Sequence, residues 1–198
     1  MMSVNFKEKM SMNLKDYVKF YDFLDKNFCD NLVKSIQDND WNIHSFHSET
    51  NKTLKSYDTD LSVCVDQNLQ QTKIINEKIW NVLNDYIRKD FSYMHDWFDS
   101  WNGYSYIRYN RYDVNKEMKL HCDHIQTLFD GSRRGIPTLS ILGALNDDYE
   151  GGELVFWETE VMELKAGQIM VFPSNFLYPH LVRPVTRGTR YSFVSWCW

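Results

Sequence analysis

The sequence has no paired cysteines. Cys29, Cys64, Cys122 and Cys197 are scattered over 198 residues, and no two stand at C-x-x-C spacing. That argues against a disulfide framework and against a structural zinc site. It predicts reduced thiols and an intracellular, cytoplasmic setting. There is no sustained run of Lys or Arg, and the net charge is −5. A nucleic-acid partner usually needs a basic stripe to neutralise phosphates, so the balance speaks against one. No stretch approaches the ~18 uninterrupted apolar residues of a membrane span. Residues 1–10 carry charges and lack an apolar core, so neither a membrane partner nor a signal peptide is expected. There is also no internal repeat and no low-complexity tract.

What is present reads as a globular chain. Apolar residues make up 43% and charged residues 25%, both ordinary values. Aromatic residues reach 16%, which suits a sheet-rich core because flat rings pack well on a pleated surface. The length fits one domain, 1–198, with helical support over 1–100 and a β-rich half over 101–198.

The spacing of apolar residues predicts helix over 13–41, with Phe28, Leu32, Val33 and Ile36 at three-to-four intervals. Asp25 or Asn27 is a candidate cap there, and the aromatic run before it is a candidate short strand. Segment 42–59 is polar and reads as loop or irregular hairpin. A second helix is predicted over 67–91, with Ile75, Ile79, Val82, Leu83 and Ile87 on one broad face. After Gly103 the text changes to short β-rich runs near 104–112, 118–124, 138–145, 153–157, 161–164, 168–172, 180–184 and 190–196, separated by turn residues. The fold class expected is mainly β with supporting N-terminal helices: a sandwich, jelly roll or cupin-like barrel.

His121 and Asp123 stand two apart. On a strand such residues share a face, so they would converge while Cys122 points away. His180, at the start of a late strand, is the best third ligand. Two His and one carboxylate on one side of an octahedron leave three positions open, the arrangement used for Fe(II) oxygen chemistry. Arg190 lies ten residues after His180 in an apolar run. Its planar fork can take a carboxylate in a bidentate pair, and burying it there is costly without an anion. Exposure by snorkelling is the alternative reading.

These residues fall in an ordered pattern. It runs His121-x-Asp123, then Gly151-Gly152-Glu153-Leu154-Val155-Phe156, then Gly167 to Phe172-Pro173-Ser174, then His180, then Pro184 through Arg190 to Trp196. His-x-Asp alone is common, but the full set with these spacings is specific. From about Tyr104 to Trp198 the chain resembles the prolyl 4-hydroxylase-like branch of the 2-oxoglutarate/Fe(II)-dependent dioxygenases. The resemblance implies a double-stranded β-helix core with iron on His121, Asp123 and His180. It implies that Arg190 holds the distal carboxylate of 2-oxoglutarate, where many prolyl hydroxylases carry lysine. It further implies that Tyr112 hydrogen-bonds 2-oxoglutarate and that Trp196 lines the pocket. The cofactors implied are Fe(II), 2-oxoglutarate and O2, with ascorbate as an optional addition. The activity implied is hydroxylation of an unactivated carbon, first of peptidyl proline, next of a free amino acid or small metabolite. A non-oxidative cupin-like metal- or ligand-binding module is the reading from another class. Retention of Asp123 speaks against halogenation.

Other residues compete. Tyr106 and Tyr109 rival Tyr112, because a one-residue register slip flips a strand. Arg183 and Arg187 read as solvated or substrate-facing. His124 reads as a surface or supporting histidine. His44, His47 and His95 lie outside the β-rich text and are not expected to be ligands. Asp147, Asp148 and Glu150 lack calcium-loop spacing. Specificity would sit in loops, and 45–56 and 127–137 are the candidates. The second holds Arg133-Arg134 between glycines and reads as a positively charged lid.

Overall fold

A computed structural model of the chain describes residues 13–48, 53–92, 103–123 and 137–198. Asp25 caps the first helix, α1 (Lys26–Ile36), its carboxylate accepting from the Phe28 N–H at 2.8 Å. Cys29, Leu32 and Ile36 are its buried stripe. The aromatic run before the cap is a strand, β1 (Lys19–Asp22), and a 3-10 turn at Leu14–Tyr17 precedes it. The second helix, α2 (Gln70–Asn84), buries Thr72, Ile75, Ile79, Val82 and Leu83 and ends in a π-helical turn at Asp85–Asp90. No helix among the described residues is long and apolar enough to cross a membrane.

Two sheets carry the β-rich half. The larger has seven strands in the order β1, β12 (Gln168–Pro173), β8 (Leu139–Ala144), β15 (Arg190–Cys197), β6 (Arg108–Tyr112), β5 (Ser62–Cys64) and β2 (Asn42–Ile43). The smaller has four, β11 (Glu160–Met162), β10 (Leu154–Phe156), β13 (His180–Val182) and β7 (Met118–His121). Two-stranded pairs join β14 (Val185–Arg187) to β9 (Glu150–Gly151), and β3 (Phe46–Ser48) to β4 (Thr53–Lys55). All pairings between these strands are antiparallel. This is the jelly-roll, double-stranded β-helix class with helical support.

Alternation along each central strand divides the large sheet into two buried faces. Tyr109, Ile141, Ile169, Val171, Tyr191 and Phe193 pack under α1 and α2. Tyr112, Leu142, Met170, Phe172 and Val194 point the other way, towards Leu154, Phe156 and Val182 of the small sheet. The second face is therefore the barrel interior, and the helices are a buttress outside it.

Several boundaries differ from the sequence reading. β5 is only three residues long, too short for a period to register. The run expected over 180–184 ends at Val182, and β14 begins after Pro184. Proline has no N–H for the ladder, which suits a strand break there. β7 ends at His121, so Asp123 lies on a bend beyond the strand.

Gly143 is forced by packing. A Cβ there would sit 2.1 Å from Cε1 of Phe193, its cross-strand partner and a fully buried ring. Gly143→Ala is expected to destabilise by about 1–3 kcal/mol through overpacking. Urea unfolding would read this as a lower midpoint at unchanged slope, and an unshifted midpoint would refute it.

Candidate active site

His121 and His180 are direct cross-strand partners on β7 and β13, with ring centroids 4.3 Å apart. The bend after β7 returns Asp123 to the same point. Its Oδ1 lies 3.5 Å from His121 Nε2 and 3.8 Å from His180 Nε2. One ligand atom from each of the three falls within 4.8 Å of the others. The convergence expected from a continuous strand is thus achieved by a strand end plus a bend.

Both histidines use Nδ1 on backbone carbonyls, His121 on Lys119 at 2.8 Å and His180 on Tyr178 at 3.0 Å. That fixes Nδ1–H as the donor and turns each Nε2 lone pair inward. Burial pushes the His180 pKa down to about 4, with the His121 charge adding to the effect, so its ring is neutral near pH 7. Burial favours a protonated Asp123, but His180, His121 and the Ser140 hydroxyl outweigh it and hold the carboxyl well below its ordinary range. Two ring nitrogens and an anionic carboxylate oxygen then face one another. Such a cluster repels itself unless a cation sits inside it. Its donor types, two imidazoles and one carboxylate, fit Fe(II).

The sequence reading missed Ser140 and Ser174. Ser140 on β8 donates to Asp123 Oδ2 at 2.5 Å, and its oxygen lies 2.6 Å from that of Ser174, which must then be the donor to it. Oδ2 is thereby occupied and Oδ1 faces the histidines. Both serines are buried; a small polar residue inside apolar β8 was the available signal. Ser140→Ala is expected to weaken Fe(II) binding about 10- to 100-fold, as loss of a ligand-orienting hydrogen bond generally does. Competition with a metallochromic chelator under anaerobic conditions measures it, and unchanged affinity would assign Ser140 a packing role only.

Beside the triad lies a small cavity of about 30 Å³. From β6 it is lined by Arg108, Asn110 and Tyr112, at alternate positions on one face. Trp196 lines it too. Tyr109 instead faces the helices and shares a 2.7 Å hydrogen bond with Thr72, and Tyr106 is exposed, so the register singles out Tyr112. Arg108 and Asn110 were not anticipated. Arg190 is 2% exposed and lies opposite Tyr112 in the ladder, its guanidinium 4.9 Å from that ring's centroid. Its Nη1 donates to Ser192 Oγ at 3.2 Å, and no carboxylate pairs with it among the described residues. It sits behind Tyr112 rather than on the cavity wall.

Arg183 and Arg187 are exposed, and Arg187 pairs with Glu150 at 2.5 Å. His44 is buried beside the site but is not one of the clustered ligands. Burial, then the Arg108 and His121 charges, lower its pKa to about 4. His95, His124 and 127–136 lie outside the described residues, as do 49–52 of the other candidate specificity loop. The His47 side chain is likewise undescribed.

Residues 107–198 match the model of the 2OG-Fe(II) oxygenase superfamily. The matched segment carries His121, Asp123, His180 and Arg190. The chain is 37% identical over 95 residues to a PKHD-type hydroxylase of Methylobacterium nodulans, covering 44% of this chain and 40% of the relative. It is 35% identical over 95 residues to a PKHD-type hydroxylase of Delftia acidovorans, covering 45% and 41%. The matches thus span about two fifths of those relatives' length. Among solved structures, the fold is similar to a Pseudomonas putida prolyl-4-hydroxylase, with TM-score 0.64 and 17% identity over 93% of this chain and 95% of that one. It is also similar to a viral collagen prolyl hydroxylase from Paramecium Bursaria Chlorella virus-1, solved as its 2OG complex, with TM-score 0.60 and 16% identity over 91% and 94%. The likeness to the prolyl-hydroxylase-like branch of the superfamily is borne out, and so is the jelly-roll fold.

Proposed function

We propose that the chain is an Fe(II)- and 2-oxoglutarate-dependent dioxygenase that hydroxylates an unactivated carbon, with peptidyl proline as the first candidate. The observation that carries this is the converged His121, Asp123 and His180 cluster, in which acceptor atoms meet around a space for one cation. Arg190 supports it as a buried guanidinium with no carboxylate partner among the described residues. Prolyl hydroxylases among the similar folds support the choice of substrate. The four free thiols suit a reducing, intracellular setting.

In this reading 2-oxoglutarate, O2 and a C–H bond give succinate, CO2 and a C–OH bond. The iron, when bound, supplies the redox chemistry that no side chain can. His121, Asp123 and His180 would hold it. Ser140 keeps Asp123 to a single inward oxygen. Arg190 and Tyr112 hold the distal carboxylate and so fix the cosubstrate's orientation. Leu142, Leu154, Phe172, Val182 and Val194 form an apolar wall that keeps water from the reacting carbon.

The test is spectroscopic. Anaerobic protein loaded with Fe(II) receives 2-oxoglutarate, and the weak visible charge-transfer band of the chelate is followed. The expected result is a band in wild type that is lost in His121→Ala and weakened in Arg190→Ala. Folded, iron-loaded protein without a band would overturn the reading in favour of a non-oxidative cupin-like binder.

A further inference from the structure

The cavity wall carries a cation, Arg108, that the reaction above does not use. Arg108 precedes Tyr112 by four residues on β6 and shares its inward face. Its Nε donates to Asn110 Oδ1 at 3.2 Å, and its guanidinium lies 4.8 Å from the Trp196 ring centroid. That hydrogen bond uses one of five N–H donors. No carboxylate pairs with Arg108 among the described residues, although the side chain is half-buried in a mostly apolar wall.

Its neighbours are unsatisfied in the same way. Among the described residues, Trp196 Nε1 is buried with no hydrogen-bond partner, and so is His44 Nδ1. Trp196 touches Arg108 ring to fork, and His44 lies close enough to feel the Arg108 and His121 charges. An indole N–H can only donate. A buried donor left unmade costs about 1–3 kcal/mol, and the described residues offer the Trp196 N–H no acceptor.

2-Oxoglutarate is poorly placed to be that acceptor. Arg190 pairs with Tyr112 in the ladder and Val194 pairs with Arg108, so the two arginines are four ladder positions apart. Four positions correspond to roughly 13 Å of strand. A cosubstrate that spans from the metal to Arg190 is directed away from Arg108.

We propose that Arg108, with the Trp196 N–H beside it, binds a carboxylate of the substrate being hydroxylated. The substrate class is an amino acid or a peptide with a carboxylate near the reacting carbon. This rests on the dioxygenase reading and deepens it. A guanidinium fork fits a carboxylate in two parallel hydrogen bonds, and stacking on Trp196 holds its plane. The carboxylate is either the α-carboxylate of a free amino acid or the acidic side chain of a peptide.

Isothermal titration of anaerobic protein loaded with Fe(II) and 2-oxoglutarate tests this with two probe pairs. L-Proline is compared with L-prolinamide, and acetyl-Pro-Glu-amide with acetyl-Pro-Gln-amide. The expected result is that the carboxylate member of one pair binds wild type about 10- to 100-fold more tightly than its amide, the worth of a charge-assisted bond. Preference within the first pair identifies a free amino acid, and within the second an acidic peptide. Arg108→Gln is expected to abolish that preference, Arg108→Lys to keep part of it, and both to leave 2-oxoglutarate affinity within about twofold of wild type, a shift worth under half a kcal/mol. No preference in wild type overturns the proposal even if the variants fail to fold. A preference that survives Arg108→Gln, or a loss of 2-oxoglutarate affinity in that variant, overturns it too. The chelate band is recorded on the same samples. If it is present without discrimination, only this proposal fails; if it is absent from wild type, the dioxygenase reading fails with it.

Discussion

Asp123→Ala is expected to remove metal-dependent turnover and the stabilisation that Fe(II) gives the fold. Without a cation the variant loses the Ser140 hydrogen bond and the surroundings that favour the carboxylate, and is destabilised by about 1–3 kcal/mol. With a cation, the carboxylate is the only anionic ligand in the cluster, and losing it forfeits most of the binding. A metal present at 100 times its dissociation constant adds about 2.7 kcal/mol to the folded state. Anaerobic thermal melts with and without Fe(II) should therefore separate in wild type and coincide in the variant. An equal metal-induced shift in both would mean that Asp123 is not a ligand.

Arg190→Met is expected to raise the dissociation constant of 2-oxoglutarate steeply and leave Fe(II) affinity unchanged. Methionine keeps much of the apolar stem that packs against Tyr112 but offers no N–H. Deleting one partner of a buried, hydrogen-bonded charge pair costs about 2–5 kcal/mol, or roughly 30- to several-thousand-fold in affinity. The 2-oxoglutarate concentration that half-develops the chelate band reads this directly. An unchanged midpoint would move the anion clamp from Arg190 to Arg108, the arginine that lines the cavity.

Much of the site is legible in the sequence. His121, Asp123 and His180 are ligand-type residues at specific offsets within an ordered run of turns and strands, and Arg190 follows at a fixed distance. Tyr112 was legible only through resemblance, with Tyr106 and Tyr109 as rivals. The ladder with β15 settles the register, placing Tyr112 opposite Arg190 and Tyr109 under the helices. Arg108 and Asn110 carried no local pattern, and Ser140 and Ser174 carried none that gave them a role. A serine in an apolar strand looks the same whether it faces a carboxylate or fills a gap.

The helical half shows the same division. The cap at Asp25 and the apolar stripes of α1 and α2 were readable, because a 3.6-residue period is a property of the chain alone. The aromatic run before Asp25 was ambiguous, because rings serve either structure. It becomes β1 because β12 offers an open edge for Lys19–Asp22 to pair with.

By itself the sequence determined the fold class, the identity of the converging ligands and the arginine behind them. Each of these depends on residue type and spacing, which are one-dimensional. The tertiary structure decided which oxygen of Asp123 faces inward, which tyrosine meets Arg190, and that Arg108 and Trp196 share one wall. Those relations join strands far apart in the chain. They are set by cross-strand register and by burial, which exist only once the two sheets face each other.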